Sequence, residues 1–272
     1  MTALSDSGHL AIDGASLEYR MIGPRPDAAP TIVMLHEGLG SVSTWGDFPQ
    51  KVAERTGAGV FVYSRAGYGK SSTIRLPRPL DYMQREAIDV LPKLLDAIGF
   101  RRGILFGHSD GATIAAWYGG SVQDHRVRGL ILMAPHFFME QSNIDAIQGT
   151  VANYETTNLP GRLARHHADV EAAFRGWSGA WLDPGFATFD TTDALAYIRV
   201  PVLVIQGAAD PYGTLAQVKV VEDECYCPVE TAVMEGVGHA PYRENPDETL
   251  AVMAAFADRL FRVHHEGIEN AA

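Results

Sequence analysis

The sequence is short of cysteine and of basic residues, and it has no long hydrophobic run. Two cysteines in 272 residues, Cys225 and Cys227, exclude a disulfide framework. Their one-residue spacing is too tight for an ordinary structural bridge, and two ligands are too few for structural zinc, so they read as reduced thiols. No segment approaches the roughly 20 apolar residues of a membrane span, and the stretch from Met1 to Leu10 has neither the basic start nor the apolar centre of a secretory signal. The expectation is a soluble cytoplasmic protein with no membrane partner. Lys plus Arg number 22 against 33 for Asp plus Glu, a formal charge of -11, which repels nucleic-acid phosphates and anionic lipid. What is present fits a globular enzyme-sized core: 46% hydrophobic and 20% charged residues, in a length suited to one large α/β domain.

Short β-branched and apolar runs recur, separated mostly by helical patterns, as in a mainly parallel sheet with crossover helices. Strands are expected at Thr31–Leu35, Val60–Tyr63, Gly103–Phe106, Val127–Met133 and Pro201–Ile205, several apolar without alternation, as strands covered on both faces are. His9–Ile12 and Ser16–Met21 flank Asp13-Gly14, a hairpin signal, and Thr231–Met234 is a last strand. Helical periodicity marks Tyr82–Ala97, despite Pro92, and Asp247–Phe261. Residues 136–196 break the rhythm. They are rich in Trp, Phe, His and Asn without a good strand, and read as a helical cap inserted into a body formed by 1–135 and 197–272.

The strongest chemical signal is Gly107-His108-Ser109-Asp110-Gly111, directly after the GILF strand and before the helical run Ala112–Tyr118. This is G-x-S-x-G in the strand-turn-helix setting that lifts a serine hydroxyl above a sheet, at a helix N-terminus. Serine needs a base and an orienting acid, here in the order Ser, Asp, His. Asp210 follows the PVLVI strand at the end where open α/β sheets collect active-site groups, and His239 lies in the glycine-flanked loop Glu235-Gly236-Val237-Gly238-His239. The expected roles are Ser109 as nucleophile, His239 as general base then acid, and Asp210 as the group that fixes the imidazole tautomer. An oxyanion requires two backbone donors; they are assigned to the N–H of Asp110 and that of Gly38, in the loop His36-Glu37-Gly38-Leu39-Gly40. His36 reads as a structural histidine bonding loop backbone.

Together these segments, with Arg65-Ala66-Gly67-Tyr68-Gly69-Lys70-Ser71, GAADPYG and GVGHAPYRENP, resemble the α/β-hydrolase superfamily over nearly the whole chain. The resemblance implies an α/β-hydrolase fold, a mostly parallel central sheet with flanking helices and an inserted cap, needing no cofactor or metal. Serine at 109 argues against the dehalogenases and epoxide hydrolases, which use aspartate there. Most members have His-Gly where this chain has His36-Glu37, which sets a carboxylate near the rim of the oxyanion loop. Asp110 resembles the elbow of valacyclovirase-like hydrolases, whose aspartate holds the α-amino group of amino-acid esters. Its side chain has two readings: it holds a cationic substrate group, or it bonds loop donors and pairs with an arginine.

The expected activity is cofactor-free hydrolysis of a small to medium carboxylic ester through an acyl-enzyme, by a monomer or homodimer. Glu37, Asp110, Trp45, Phe137, Trp177 and Trp181 are the candidate substrate-binding residues. Two alternatives stay open: carbon-carbon bond hydrolysis of the meta-cleavage type, and a non-catalytic ligand receptor on the same fold. His166-His167 with Asp169 reads as a solvated helix surface rather than a metal site.

Overall fold

The computed structural model describes residues 4–269, so Met1–Ala3 of the N-terminal stretch lie outside the described residues. Eight strands form one sheet: β1 Ser7–Ile12, β2 Ala15–Ile22, β3 Thr31–Leu35, β4 Gly59–Tyr63, β5 Gly103–His108, β6 Val127–Met133, β7 Val202–Gly207 and β8 Val229–Met234. Their spatial order is β1-β2-β4-β3-β5-β6-β7-β8. The β1–β2 and β2–β4 pairs are antiparallel, and all others are parallel. The hairpin turns on Asp13 (φ 49°) and Gly14 (φ 79°), the two positive φ values that a tight turn between right-twisted strands requires.

Eleven α-helices are present among the described residues: α1 Phe48–Thr56, α2 Tyr82–Arg85, α3 Leu91–Ala97, α4 Asp110–Ser121, α5 Gln141–Thr156, α6 Leu159–Leu163, α7 Val170–Trp181, α8 Thr192–Leu195, α9 Ala216–Glu224, α10 Pro241–Glu244 and α11 Pro246–Glu269. Strand alternation divides the core between the two sheet faces. Ile32, Met34, Val60 and Val62 pack with Val52 of α1 and Phe256 of α11. Val33, Leu35, Phe61 and Tyr63 pack with Leu91 and Leu94 of α3 and Ile114 of α4. The helix expected over Tyr82–Ala97 is interrupted by a π turn at Glu86–Val90. Pro92 follows it in the first turn of α3, where its missing N–H and its ring are tolerated.

Between β6 and β7 the chain runs through α5 to α8, with a single isolated bridge, Phe138–Asp190. No helix among the described residues is long and apolar enough to cross a membrane.

Candidate active site

The C-terminal ends of β5, β7 and β8 bring three distant segments together. Ser109 stands between β5 and α4 at φ 54°, ψ -120°, a backbone state that a non-glycine residue holds only when its surroundings impose it. The surroundings here are backbone. A Cβ on Gly107 would lie 2.1 Å from the Gly111 carbonyl, and one on Gly111 would lie 2.1 Å from the Leu35 carbonyl. Only glycine at both positions lets the turn close this tightly, which is the physical content of the motif.

Asp210 follows β7, and its Oδ2 lies 2.8 Å from His239 Nδ1. Gln206 Nε2 donates to the same oxygen at 2.9 Å, and the Tyr212 N–H donates to Oδ1 at 2.8 Å. Burial alone would raise this carboxyl, but the hydrogen bond and charge of His239, with the Tyr212 N–H, hold it below the ordinary value. An ionised Asp210 fixes the proton of His239 on Nδ1 and leaves Nε2 as the basic atom. Ser109 and His239 line one cavity. No hydrogen bond joins them among the described residues, a contact that often tightens only with substrate.

The loop after β3 is clamped from three sides, and this is what the sequence did not reveal. Arg65, buried at 1% exposure, donates Nη1 to the His36 carbonyl and Nη2 to the Glu37 carbonyl at 3.1 Å. Its own N–H donates to His36 Nε2 at 3.0 Å, so His36 carries its proton on Nδ1, which lies 2.6 Å from the Glu37 carbonyl. Burial and the Arg65 charge hold His36 far below the usual imidazole range. From the other side, His167 accepts the Gly69 N–H at 3.0 Å and donates Nε2 to the Leu39 carbonyl at 3.0 Å. His167 is therefore buried, not part of a solvated helix surface. Its partner in sequence, His166, does reach outward, to Ser43 Oγ at 2.9 Å, and Asp169 caps α7.

The third clamp is His108. Its Nε2 donates to the His239 carbonyl at 2.7 Å, and its Nδ1 faces Glu37 Oε2 at 3.5 Å. Burial opposes charge on Glu37, but the His108 contact outweighs it and pushes the carboxyl far below the ordinary 4.5. A carboxylate with a depressed folded value stabilises the fold fully above its unfolded value and loses that contribution as pH falls towards the folded one. Glu37→Gln is therefore expected to narrow its stability difference from wild type progressively below about pH 4.5. Urea midpoints from pH 7 to pH 2.5 check this; a difference that does not change with pH would contradict it.

Glu37, Gly38, Ser109, Asp110, Trp177, Trp181 and His239 meet in a cavity of about 160 Å³. A Cβ on Gly38 would lie 2.3 Å from the Trp177 indole, so Gly38 sits directly under that ring. Neither the Gly38 nor the Asp110 N–H has a backbone acceptor among the described residues, and the Asp110 N–H opens α4, where it has none within the helix. Two candidate substrate contacts lie elsewhere. Trp45 packs beneath the site on Phe106, Tyr242 and His108, and Phe137 is wholly enclosed in the core; neither lines the cavity. A roomier groove of about 740 Å³ near Leu4, Arg25 and Ile98 holds none of these groups.

The Asp110 side chain is held by three protein partners. Tyr82 Oη donates to Oδ2 at 2.6 Å and Trp181 Nε1 to Oδ1 at 3.3 Å, while Arg65 Nη2 stands 3.7 Å from Oδ2. The carboxylate is fully buried and its charge is offset from behind. It joins the elbow, the Arg65 clamp and the Trp181 end of α7.

The sequence profile of the alpha/beta hydrolase family matches residues 32–252. The chain belongs to the alpha/beta hydrolase family. Among curated relatives of this hydrolase, proline iminopeptidase of Lactobacillus delbrueckii subsp. bulgaricus is 30% identical, the match covering 82% of this chain and 88% of that one. The 3-oxoadipate enol-lactonase 1 of Acinetobacter baylyi is 23% identical, covering 91% and 95%. The crystal structure of the enol-lactonase from Burkholderia xenovorans superposes with a TM-score of 0.71 at 19% identity, covering 92% of this chain and 99% of that one. Alpha/beta hydrolases thus share this chain's architecture over almost its full length, while the named relatives carry different activity names, iminopeptidase and lactonase.

Proposed function

We propose that this hydrolase cleaves a small carboxylic ester through an acyl-enzyme on Ser109, with residues 136–196 acting as a cap over the catalytic body. The observation that carries the reading is the convergence of the strained Ser109 turn and the Asp210-oriented His239 on one small cavity. Ser109 Oγ attacks the carbonyl carbon while His239 Nε2 takes its proton. The oxyanion forms against the N–H groups of Gly38 and Asp110. As the C–O bond breaks, His239 returns the proton to the departing alcohol. Water, deprotonated by the same nitrogen, then releases the acid and restores the serine.

Size favours a small acyl group. A cavity of about 160 Å³ is close to one that accepts benzene and well below drug-sized sites of roughly 300 Å³ or more. The 3-oxoadipate enol-lactonase relative is named for a lactone, an internal ester, which fits this chemistry. A fluorophosphonate probe should label Ser109 stoichiometrically, and a panel of p-nitrophenyl esters should show kcat/KM falling as the acyl chain grows beyond about six carbons. Labelling without repeated turnover would favour a receptor, and turnover of a ring-fission dienoate but of no ester would favour carbon-carbon cleavage.

A further inference from the structure

His136 is a buried imidazole in the cavity wall that the steps above leave unused. Its backbone is pinned to α4: Thr113 Oγ1 donates to the His136 carbonyl at 2.7 Å and accepts the His136 N–H at 3.3 Å. The ring lies nearly parallel to His239 (28°, centroids 5.6 Å) and meets Trp181 edge-on (74°, 5.4 Å). Gly213 closes the remaining side, where a Cβ would come within 3.2 Å of Cε1. The imidazole is thus packed by His239, Trp181 and Gly213.

Its protonation state follows from Asn143. The Glu140 N–H donates to Asn143 Oδ1 at 2.9 Å, and Asn143 Nδ2 donates to the Tyr212 carbonyl. Two backbone partners of opposite character fix which end of the amide is which. The second hydrogen on Nδ2 then points to His136 Nδ1, 3.1 Å away, so Nδ1 accepts. Burial, reinforced by His239, pushes the His136 pKa down to about 3, and a neutral ring that accepts at Nδ1 carries its proton on Nε2. That N–H has no partner among the described residues, and His136 and Asn143 line the same cavity as Ser109 and His239.

We propose that His136 is a specificity-determining residue, its Nε2–H a fixed neutral donor for an uncharged oxygen, keto or ether, carried on the substrate's small acyl group. The inference rests on the ester reading above and names its substrate class: oxo- or alkoxyacyl esters rather than plain alkanoates. An anionic group is disfavoured because the Glu37 carboxylate belongs to the lining of the same cavity. A donor with no protein partner loses its water when the site fills, so a substrate that cannot accept leaves it unsatisfied.

Two isosteric esters test it: p-nitrophenyl methoxyacetate and p-nitrophenyl butyrate, which differ by an oxygen for a methylene. The ratio of their kcat/KM values cancels intrinsic reactivity when wild type is compared with His136→Phe, which keeps a stacking ring and removes the donor. The ratio is expected to fall about tenfold in the variant. An unchanged ratio with turnover retained would overturn the inference and leave the ester reading standing. Independently of turnover, long-range ¹H–¹⁵N spectra of Ser109→Ala at pH 7 should show His136 protonated on Nε2 alone. In the same spectra methyl methoxyacetate should shift that signal and methyl butyrate should not. Protonation on Nδ1, or equal shifts with both esters, would overturn the inference even if His136→Phe failed to fold. Absence of any ester turnover by the wild type, with the methoxyacetate shift present, would instead overturn the ester reading.

Discussion

Ser109→Ala is expected to lower kcat/KM for ester hydrolysis by about a million-fold, the loss met when a serine nucleophile is removed from a complete triad. Alanine makes the same demand on the backbone at φ 54° as serine does, so the strain of the turn is unchanged. The melting temperature should move by no more than about two degrees. Progress curves at high enzyme concentration, with mass spectrometry to confirm loss of probe labelling, measure both consequences. Residual activity above about a thousandth of wild type would mean that another group attacks the carbonyl.

The second large effect is expected at a residue that does not itself line the cavity. Arg65 bonds the carbonyls of His36 and Glu37 and stands 3.7 Å from Asp110, so it joins the two segments that carry the Gly38 and Asp110 donors. Arg65→Met keeps much of the volume but strands a buried carboxylate, at a cost of about 3–5 kcal/mol. It also frees the loop proposed to supply an oxyanion donor, and loss of one well-placed donor lowers kcat by about a hundred- to a thousandfold. KM should change far less, because the donors act on the transition state. Adding Asp110→Asn removes the stranded charge and should recover part of the stability but little of kcat. Urea unfolding and steady-state kinetics on the three variants separate the two effects. A kcat within tenfold of wild type in Arg65→Met would show that His167 and His108 hold the loop without it.

The residues proposed as nucleophile, acid and base stood out in the sequence because each is announced locally. Ser109 has glycines on both sides that a tight turn requires, and Asp210 and His239 each follow a β-branched strand. Burial on both faces made the central strands equally plain: β3 and β6 run as expected to the residue. The short helices α1, α9 and α10 gave no comparable signal. The clamps were not legible either. Arg65 stands in a segment that the sequence marks as important, but nothing local says that a guanidinium there will reach back to carbonyls at 36 and 37. His167 is one of two adjacent histidines, and only the path of the chain decides which turns inward. Trp45 and Phe137 were over-read for the same reason: an aromatic beside a motif has no address until the fold is known. Asp110 illustrates the opposite case: both readings were chemically sound, and its contacts with Tyr82, Trp181 and Arg65 fit the one in which it bonds protein donors and pairs with an arginine.

The placement of the indoles has an optical consequence. Of four tryptophans, Trp177 lies against Gly38 and Trp181 is hydrogen-bonded to Asp110, both in the cavity wall, while Trp45 sits behind His108. An occupant changes the polarity around two indoles at once and leaves Trp117, on the other side of Phe189, as an internal reference. The protein therefore carries its own fluorescent gauge of cavity occupancy, readable without a chromogenic ester or a label.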